Sequence, residues 1–431
     1  MADTVFALAT PAGRGAIAVV RISGPKTKAA LTALVGSSPR PRLATLRTLR
    51  HGEARLDQAL VLWFPAPASY TGEDVAELHL HGGRAVVEGV LSALSDLGLR
   101  PAEPGEFTRR AFENGRMDLA QAEAVADLID AESAAQAKQA LGQLDGALSA
   151  VYSGFRADLL RALALVEAEI DFPDEEIPEN LARTAGPILD RLADDLRRAL
   201  SDADRGERVR EGYRVVLIGE TNAGKSSLFN ALVAREAAIV TPIPGTTRDV
   251  LDAQLVIEGY AVTLSDTAGL RESDDPVEAE GVRRARARAA GADLRLWVRA
   301  PGDPEGAAAA FVQDDDLVIW TKADLAPPDG AGLSVSTATG LGLDSVHAAL
   351  ADRLRRDLTG ADFPAVTRSR HRRRLGEALA AVQDGRRALR LAPEMAGDDL
   401  RRAATALSQV TGEIGVEDVL GEVFASFCIG K

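Results

Sequence analysis

One stretch of the sequence combines glycines, a lysine and a hydroxyl residue in the spacing that binds phosphate. It runs from Gly219 to Ser226 and matches the pattern G-x-x-x-x-G-K-[ST]. Residues 215–218, just before it, are predicted to form a buried strand, and a helix is predicted to follow. In this arrangement backbone N–H groups and the positive end of the helix dipole bind phosphate oxygens. We therefore expect Lys225 to reach the β- and γ-phosphates and the Ser226 hydroxyl to hold Mg²⁺.

Two further segments fit a nucleotide site of the P-loop class. Asp266 follows a predicted strand at 260–265 and begins Asp-Thr-Ala-Gly; an acidic residue there holds Mg²⁺, and the glycine N–H senses the γ-phosphate. Residues 245–249 read Gly-Thr-Thr-Arg-Asp, and a threonine there can reach Mg²⁺ when the segment orders over the γ-phosphate. Position 270 is leucine, which cannot orient the attacking water as glutamine does in Ras-like enzymes. The hydrolytic groups must therefore come from elsewhere.

The base is predicted to be guanine. Thr321-Lys322-Ala323-Asp324 follows a predicted strand at 317–320. A carboxylate at 324 can accept hydrogen bonds from N1–H and the 2-amino group of guanine, which adenine does not offer there. The usual sequence is Asn-Lys-x-Asp, so the shorter Thr321 leaves the strength of guanine binding open. Residues 336–342 are predicted to form the last loop that contacts the base.

Composition and charge restrict the class of protein. A chain of 431 residues predicts two or three domains. The net charge of −14 is unlike that of a protein that coats nucleic acid non-specifically, so any RNA contact needs a local basic patch or a partner. The one cysteine, Cys428, excludes an internal disulfide. No membrane-spanning apolar run and no signal peptide are evident, so we expect a cytoplasmic protein without membrane contact.

The predicted elements divide the chain into four segments. Residues 1–118 mix strands and helices, as in an α+β domain. Residues 119–211 and 362–431 are rich in helix formers, whereas residues 212–361 alternate short apolar strands with amphipathic helices, as in a parallel sheet. We therefore predict an N-terminal α+β domain and a discontinuous α-helical domain into which an α/β P-loop domain is inserted.

Motifs along the whole chain resemble the MnmE (TrmE) family of bacterial tRNA modification GTPases. They lie at residues 10–15, 21–24, 69–74, 81–83, 104–108, 118–124 and 427–431. The resemblance implies that residues 1–118 bind formyl- or methylene-tetrahydrofolate and form a homodimer, and that residues 212–361 are a Ras-like GTPase domain. It also implies a hetero-oligomer with an MnmG (GidA)-type partner, which supplies FAD. Together they would add a carboxymethylaminomethyl (aminomethyl-type) group to C5 of the wobble uridine, position 34, of certain tRNAs.

The resemblance also implies roles for individual residues. Hydrolysis depends on K⁺, which takes the place of an arginine finger and offsets charge as the β–γ bond breaks. The implied ligands are, for K⁺, Asn222, Thr241, Ile243 and Thr246, and, for Mg²⁺, Ser226 and Thr247. The implied catalytic residues are Lys225 and Glu278, the latter orienting water indirectly. The implied folate residues are Arg21, Glu77, Arg116 and Lys431. The other predicted GTP contacts are Ala223, Gly224, Ser227, Pro242, Pro244, Gly245, Asp266, Thr267, Ala268, Gly269, Thr321, Lys322, Ala323, Asp324, Ser336, Thr337 and Ala338.

Several alternatives stay open at this point. The chain could instead be a regulatory RNA- or ribosome-associated GTPase switch without tRNA-modifying activity, or an ATP-driven interaction module, although Asp324 speaks against the latter. His79 and His81 share a strand face, but no third metal ligand is evident and a structural role is expected. The arginine-rich residues 368–374 either contact tRNA phosphates or form a solvated helix face. Cys428 either takes part in the chemistry or fills a small buried apolar space.

Overall fold

The structure is a computed structural model that describes residues 3–171, 180–235, 250–267, 286–303, 307–360, 362–390, 392–413, 420, 423–424 and 427–430. It divides into two compact units. One comprises residues 1–126, 143–181 and 392–431, and the other comprises residues 127–142 and 182–391. Among the helices of the described ranges, none is both long and apolar enough to cross a membrane.

The N-terminal domain is built on a six-stranded sheet with helices packed against it. The elements are β1 (Val5–Leu8), β2 (Ile17–Ser23), α1 (Thr27–Val35), β3 (Thr45–His51), β4 (Ala54–Phe64), β5 (Val75–His81), α2 (Arg84–Asp96), β6 (Arg100–Pro101) and α3 (Glu106–Glu113). The strand order is β3-β4-β5-β2-β1-β6. Neighbouring strands are antiparallel except β1 and β6, which are parallel.

Side chains along β2 alternate between the two faces of this sheet, so the two faces have different environments. Val20 and Ile22 are buried in the core formed with α1 and α2. Because successive side chains of a strand point to opposite faces, Arg21 points away from these helices. The register pairs Arg21 of β2 with Glu77 of β5. A cation and a carboxylate are thus opposite each other on the face that α1 and α2 do not cover.

The α/β domain is built on a second six-stranded sheet. Its elements are β7 (Tyr213–Ile218), α9 (Lys225–Arg235), β8 (Val250–Ile257), β9 (Tyr260–Thr267), β10 (Leu294–Arg299), β11 (Leu317–Trp320), β12 (Leu333–Ser334) and α10 (Leu343–Leu358). The strand order is β12-β11-β10-β7-β9-β8, with only β8 antiparallel to its neighbour. The carboxyl ends of β7, β9 and β11 therefore meet at one edge, which is where ligands bind in such sheets.

A partly buried hydrogen-bond cluster joins the first strand of this domain to its last helix. The hydroxyl of Tyr213, at the start of β7, donates to Oδ2 of Asp357 in α10 over 2.5 Å. Nε of Arg353 donates to the same oxygen over 2.6 Å. Burial, together with the neighbouring Asp357 carboxylate, raises the pKa of Tyr213, so the phenol stays protonated as the donor. The cluster holds the two ends of the domain next to each other.

Helices that precede the inserted domain in the sequence pack against helices that follow it. The helices of the helical segments are α4 (Leu119–Ile129), α5 (Ala134–Leu144), α6 (Ala147–Asp171), α7 (Gly186–Ser201), α8 (Ala203–Glu211), α11 (Ser369–Ala388) and α12 (Pro393–Thr411). In one unit α6 packs against α12, and in the other α7 packs against α11. Each pair joins a helix that precedes the α/β domain to one that follows it. The predicted fold class, with its discontinuous helical domain, is therefore confirmed.

Candidate functional site

The loop between β7 and α9 contains three backbone positions with positive φ. The angles are +150° at Gly219, +65° at Asn222 and +97° at Gly224. A Cβ on Gly219 would overlap the carbonyl oxygen of Val298 at the end of β10, so only glycine fits there. Asparagine tolerates the left-handed conformation better than most residues with a side chain. The loop is thus packed closely against the edge of the sheet, next to the N-terminus of α9.

Lys225, the first residue of α9, is bent back over this loop. Its Nζ donates to the carbonyl oxygens of Gly219 over 3.0 Å and Glu220 over 2.8 Å. Only 6% of the residue is exposed, and burial lowers the pKa of the ammonium while nearby carboxylates, first Asp266, oppose the shift. An ammonium has three N–H donors, so one remains for a phosphate oxygen. The loop itself therefore holds the cation in place for phosphate.

Ser226 and Asp266 form the part of the site that suits a divalent cation. The Ser226 hydroxyl donates to Oδ2 of Asp266 over 2.5 Å. The other carboxylate oxygen, Oδ1, is buried and has no hydrogen-bond partner among the described residues. A buried carboxylate oxygen without a partner is costly unless a cation or water occupies its vicinity. Hydroxyl and carboxylate oxygens are the ligand types that Mg²⁺ prefers, so these two residues fit the ion.

The predicted guanine-binding segment follows β11, at the same sheet edge. Lys322 has a φ of +55°, and Asp324 is exposed at the surface. The Ala323 N–H donates to the carbonyl of Val335 over 3.0 Å, which joins this segment to the loop that begins at Ser336. Ser336 is buried, and its Oγ accepts the N–H of Thr339 over 3.3 Å. The structure therefore brings the two predicted base-contacting segments together.

Other predicted nucleotide residues lie outside the described residues. They are Thr241, Pro242, Ile243, Pro244, Gly245, Thr246, Thr247, Ala268, Gly269 and Glu278. Their predicted roles stay predictions, as do three of the four predicted K⁺ ligands.

The second predicted site surrounds Arg21 on the face of the N-terminal sheet opposite α1 and α2. Its Nε and Nη2 donate to Oε1 of Glu77 over 3.1 and 2.9 Å. The guanidinium carbon lies 5.2 Å from the ring centre of Tyr70 and 5.6 Å from that of Phe107. Neither ring was predicted to belong to this site, although Tyr70 lies within the motif at 69–74 and Phe107 within the motif at 104–108. Arg21 is thus held in a mixed aromatic and acidic environment.

The C-terminal segment also contacts Arg21. The carbonyl oxygen of Gly430 lies 3.5 Å from Nη1 of Arg21 and accepts its hydrogen bond. Gly430 has a φ of +98°, and a Cβ there would overlap the Leu8 carbonyl of β1. Lys431, the next residue, lies outside the described residues. Arg116 is exposed, and its stem carbons lie above Gly72, where a Cβ would be 3.3 Å from Cγ.

Comparisons with known proteins agree with both halves of this description. A family profile described as "MnmE helical domain" matches residues 119–428, and one described as "GTP-binding protein TrmE N-terminus" matches residues 4–116. The chain belongs to the MnmE (TrmE) family. Relatives named "tRNA modification GTPase MnmE" are similar over 100% of both chains: 53% identical in Caulobacter vibrioides, 51% in Phenylobacterium zucineum and 51% in Parvibaculum lavamentivorans.

As a member of the MnmE family, the chain is a GTP hydrolase that takes part in tRNA modification. The loop, Lys225 and the Ser226–Asp266 pair have the chemistry that a phosphoryl-transfer site needs: a positive charge that suits phosphates and oxygen atoms that suit a metal ion.

The structure bears on the two histidines and the cysteine whose roles the sequence left open. Nδ1 of His81 lies 2.7 Å from Asp57, and Nε2 of His79 lies 3.5 Å from Glu77. Within the described part of the chain, no group of three or more His, Cys, Asp or Glu side chains could hold a metal ion. Both histidines thus have carboxylate partners, in keeping with a structural role. Cys428 is exposed, so the alternative that it fills a buried apolar space is wrong.

Several arginines of the run at 368–374 form ion pairs within their own unit. Arg368 pairs with Asp127 over 2.6 Å, and Arg372 pairs with Asp204 and Glu207 over 2.6 and 2.7 Å. Arg374 pairs with Glu377, three residues later in α11, over 2.7 Å. These ion pairs neutralise three of the arginines, which leaves less charge for tRNA phosphates than the sequence suggests.

Proposed function

We propose that this MnmE-family GTPase is potassium-dependent. We also propose that, with an MnmG-type FAD protein, it adds a carboxymethylaminomethyl group to C5 of the wobble uridine of certain tRNAs. The one-carbon unit comes from a tetrahydrofolate held by the N-terminal domain, which also forms the homodimer, and the work is done in the cytoplasm. The observation that carries the proposal is the contact between Arg21 and Gly430, 409 residues apart. A GTPase that served only as a switch has no need of a cation–carboxylate pair with so distant a segment of the chain docked beside it.

In the nucleotide site each residue has a separate task. Lys225 neutralises phosphate charge, and Ser226 and Asp266 hold Mg²⁺ through their oxygens. Asn222, at the outer turn of the loop, would hold K⁺ through its side-chain carbonyl oxygen. When bound, K⁺ supplies the positive charge that an arginine finger supplies in other GTPases. Glu278 is proposed to orient the attacking water indirectly, since residue 270 is a leucine.

In the folate site the proposal rests on the chemistry of Glu77. A carboxylate can accept two neighbouring N–H groups, which is what the amide and amino edge of a pterin presents. Arg21 orients Glu77 through the two hydrogen bonds to Oε1, and Arg21 is in turn held against Tyr70. Arg116 and Lys431 would pair with the carboxylates of the glutamate tail.

The test of the whole proposal is the chemistry of the wobble base. We expect tRNA from cells that lack this protein to lose the carboxymethylaminomethyl group at uridine 34, as measured by mass spectrometry of nucleoside digests. Expression of the intact protein should restore it. Unchanged wobble uridine in the deletion strain, with GTPase activity intact in the purified protein, would instead favour the regulatory switch.

Potassium dependence gives a direct prediction for hydrolysis. We expect GTP turnover to be at least several-fold faster in KCl than in NaCl at equal ionic strength, because a charge-stabilising group acts on the transition state. Sodium has the same charge and a smaller radius, so it controls for ionic strength.

The variant Asn222→Ala should lose most of this difference while GDP affinity falls by less than about threefold. Asn114→Ala serves as a control, since Asn114 follows α3 in the N-terminal domain and donates to the Thr71 carbonyl. Equal rates of the unaltered protein in the two salts would refute the K⁺ proposal.

A second prediction concerns folate. We expect Glu77→Gln to weaken binding of formyl-tetrahydrofolate by about 10- to 100-fold, since a hydrogen bond to a charged group contributes about 1.5–3 kcal/mol. Calorimetric titration of the full-length protein measures this. Glu88→Gln is the matched control, because Glu88 is exposed on α2 of the same domain and pairs only with Arg84 in the described contacts. Equal affinities of the two variants for formyl-tetrahydrofolate would show that Glu77 is not part of the folate site.

A further inference from the structure

Thr321 stands where relatives of this motif class usually have asparagine, and its side chain is turned away from the surface. Only 3% of the residue is exposed. Its Oγ1 lies 2.5 Å from the carbonyl oxygen of Ala223 in the phosphate loop and 3.1 Å from that of Arg299 at the end of β10. A hydroxyl has one proton to donate, so the shorter contact identifies Ala223 as the main acceptor. The Thr321 N–H already binds the Arg299 carbonyl over 2.8 Å.

The hydrogen bond to the Ala223 carbonyl restrains the orientation of the peptide unit between Ala223 and Gly224. In a trans peptide the carbonyl of one residue and the N–H of the next point in opposite directions within one plane. Holding the Ala223 carbonyl toward Thr321 therefore aims the Gly224 N–H away from it, toward the side of the loop that binds phosphate. The Ala223 N–H is separately used by the Glu220 carbonyl over 3.2 Å.

Packing restrains the same peptide unit. A Cβ on Gly224 would lie 3.1 Å from Oγ1 and 3.2 Å from Cβ and Cγ2 of Thr321. These distances are shorter than ordinary van der Waals contacts, so a side chain at 224 would force Thr321 to shift. The side chain of Thr321 therefore packs closely beside the backbone at 224.

We propose that Thr321 is a positioning residue for the phosphates, and that it does not contact the base. Its hydroxyl fixes the direction in which the Gly224 N–H points, and so links the guanine-binding segment to the phosphate loop. The change from the usual asparagine then leaves base selection to Asp324. Loss of the hydroxyl should therefore weaken the binding of nucleotides whose β-phosphate reaches the loop. It should not affect the binding of nucleotides that lack a β-phosphate.

The test compares GDP with GMP, both measured by competition against a fluorescent GDP analogue in the full-length protein. We expect Thr321→Val, which has nearly the same shape, to weaken GDP binding about tenfold, the typical value of one hydrogen bond. GMP binding should stay within about twofold. Thr321→Ser keeps the hydroxyl and should bind GDP within about threefold of the unaltered protein.

A reference and a second variant make the outcome decisive. Asp324→Asn removes a base contact and should weaken GMP and GDP by the same factor. If Thr321→Val shows that same equal loss, or no loss of GDP binding, the proposal is overturned. Should the valine variant not fold in a thermal melt, Thr321→Cys takes its place, since a thiol is a weak donor, and the same selective loss of GDP binding is expected.

Discussion

Asp324→Asn is expected to change the preferred nucleotide of this GTPase from guanine to xanthine. The proposed role of the carboxylate is to accept N1–H and the 2-amino group of guanine, whereas an asparagine amide would place its own N–H against that amino group. Xanthine has a carbonyl at this position, which the amide N–H can bind. A site built to hydrogen-bond one group rejects the analogue by several decades, so we expect GDP affinity to fall by about 10³-fold or more. XDP affinity should rise above that for GDP.

Competition binding with GDP, XDP and ADP measures this change. Asp352→Asn is the control, because Asp352 is exposed on α10 of the same domain and pairs with Arg355 at the surface. It makes the same chemical change away from the base. Persistence of GDP binding within about threefold in Asp324→Asn would show that another residue selects guanine.

Lys225→Ala is expected to lower kcat/KM for GTP by about three decades. Removal of a single donor that stabilises developing charge typically costs 10²–10³ in kcat, and here a full positive charge is also lost. That charge is buried, where electrostatic interactions are stronger than in water. The variant also leaves the carbonyls of Gly219 and Glu220 without their donor, so the loop loses its internal support.

Steady-state GTP hydrolysis in KCl, with a thermal melt to confirm folding, measures the effect of Lys225→Ala. Lys138→Ala is the matched control, since Lys138 is exposed on α5 and should leave turnover unchanged. A folded Lys225→Ala variant that keeps kcat/KM within tenfold of the unaltered protein would contradict the assigned role.

Local sequence predicted the elements that carry the nucleotide site. The run at 317–320 is short, apolar and bounded by polar residues, and β11 has those bounds. The local pattern is less complete for β4: the apolar run covers only residues 60–64, whereas the strand is Ala54–Phe64. Its first half includes polar residues such as Asp57 and Gln58, and it is extended because it pairs with β3. Pairing with a neighbour, which no local pattern reports, accounts for the difference.

The contacts within the sites could not be predicted in the same way. Arg21 and Glu77 are 56 residues apart and meet through the register of β2 and β5. Tyr70 reaches Arg21 from a loop and Phe107 from α3. Such contacts depend on tertiary packing and leave no short-range signal in the sequence.

The cluster of Tyr213, Arg353 and Asp357 has a consequence for how the GTPase domain is accommodated. Since the chain enters the domain at β7 and leaves it at α10, the cluster brings the point of entry and the point of exit together. The whole insertion then constrains the helical domain only as much as a short connection with fixed ends would. The entropic cost of closing a long flexible loop is avoided. A domain whose ends meet can be gained, lost or exchanged between helices without separating them, and it can be excised as a unit.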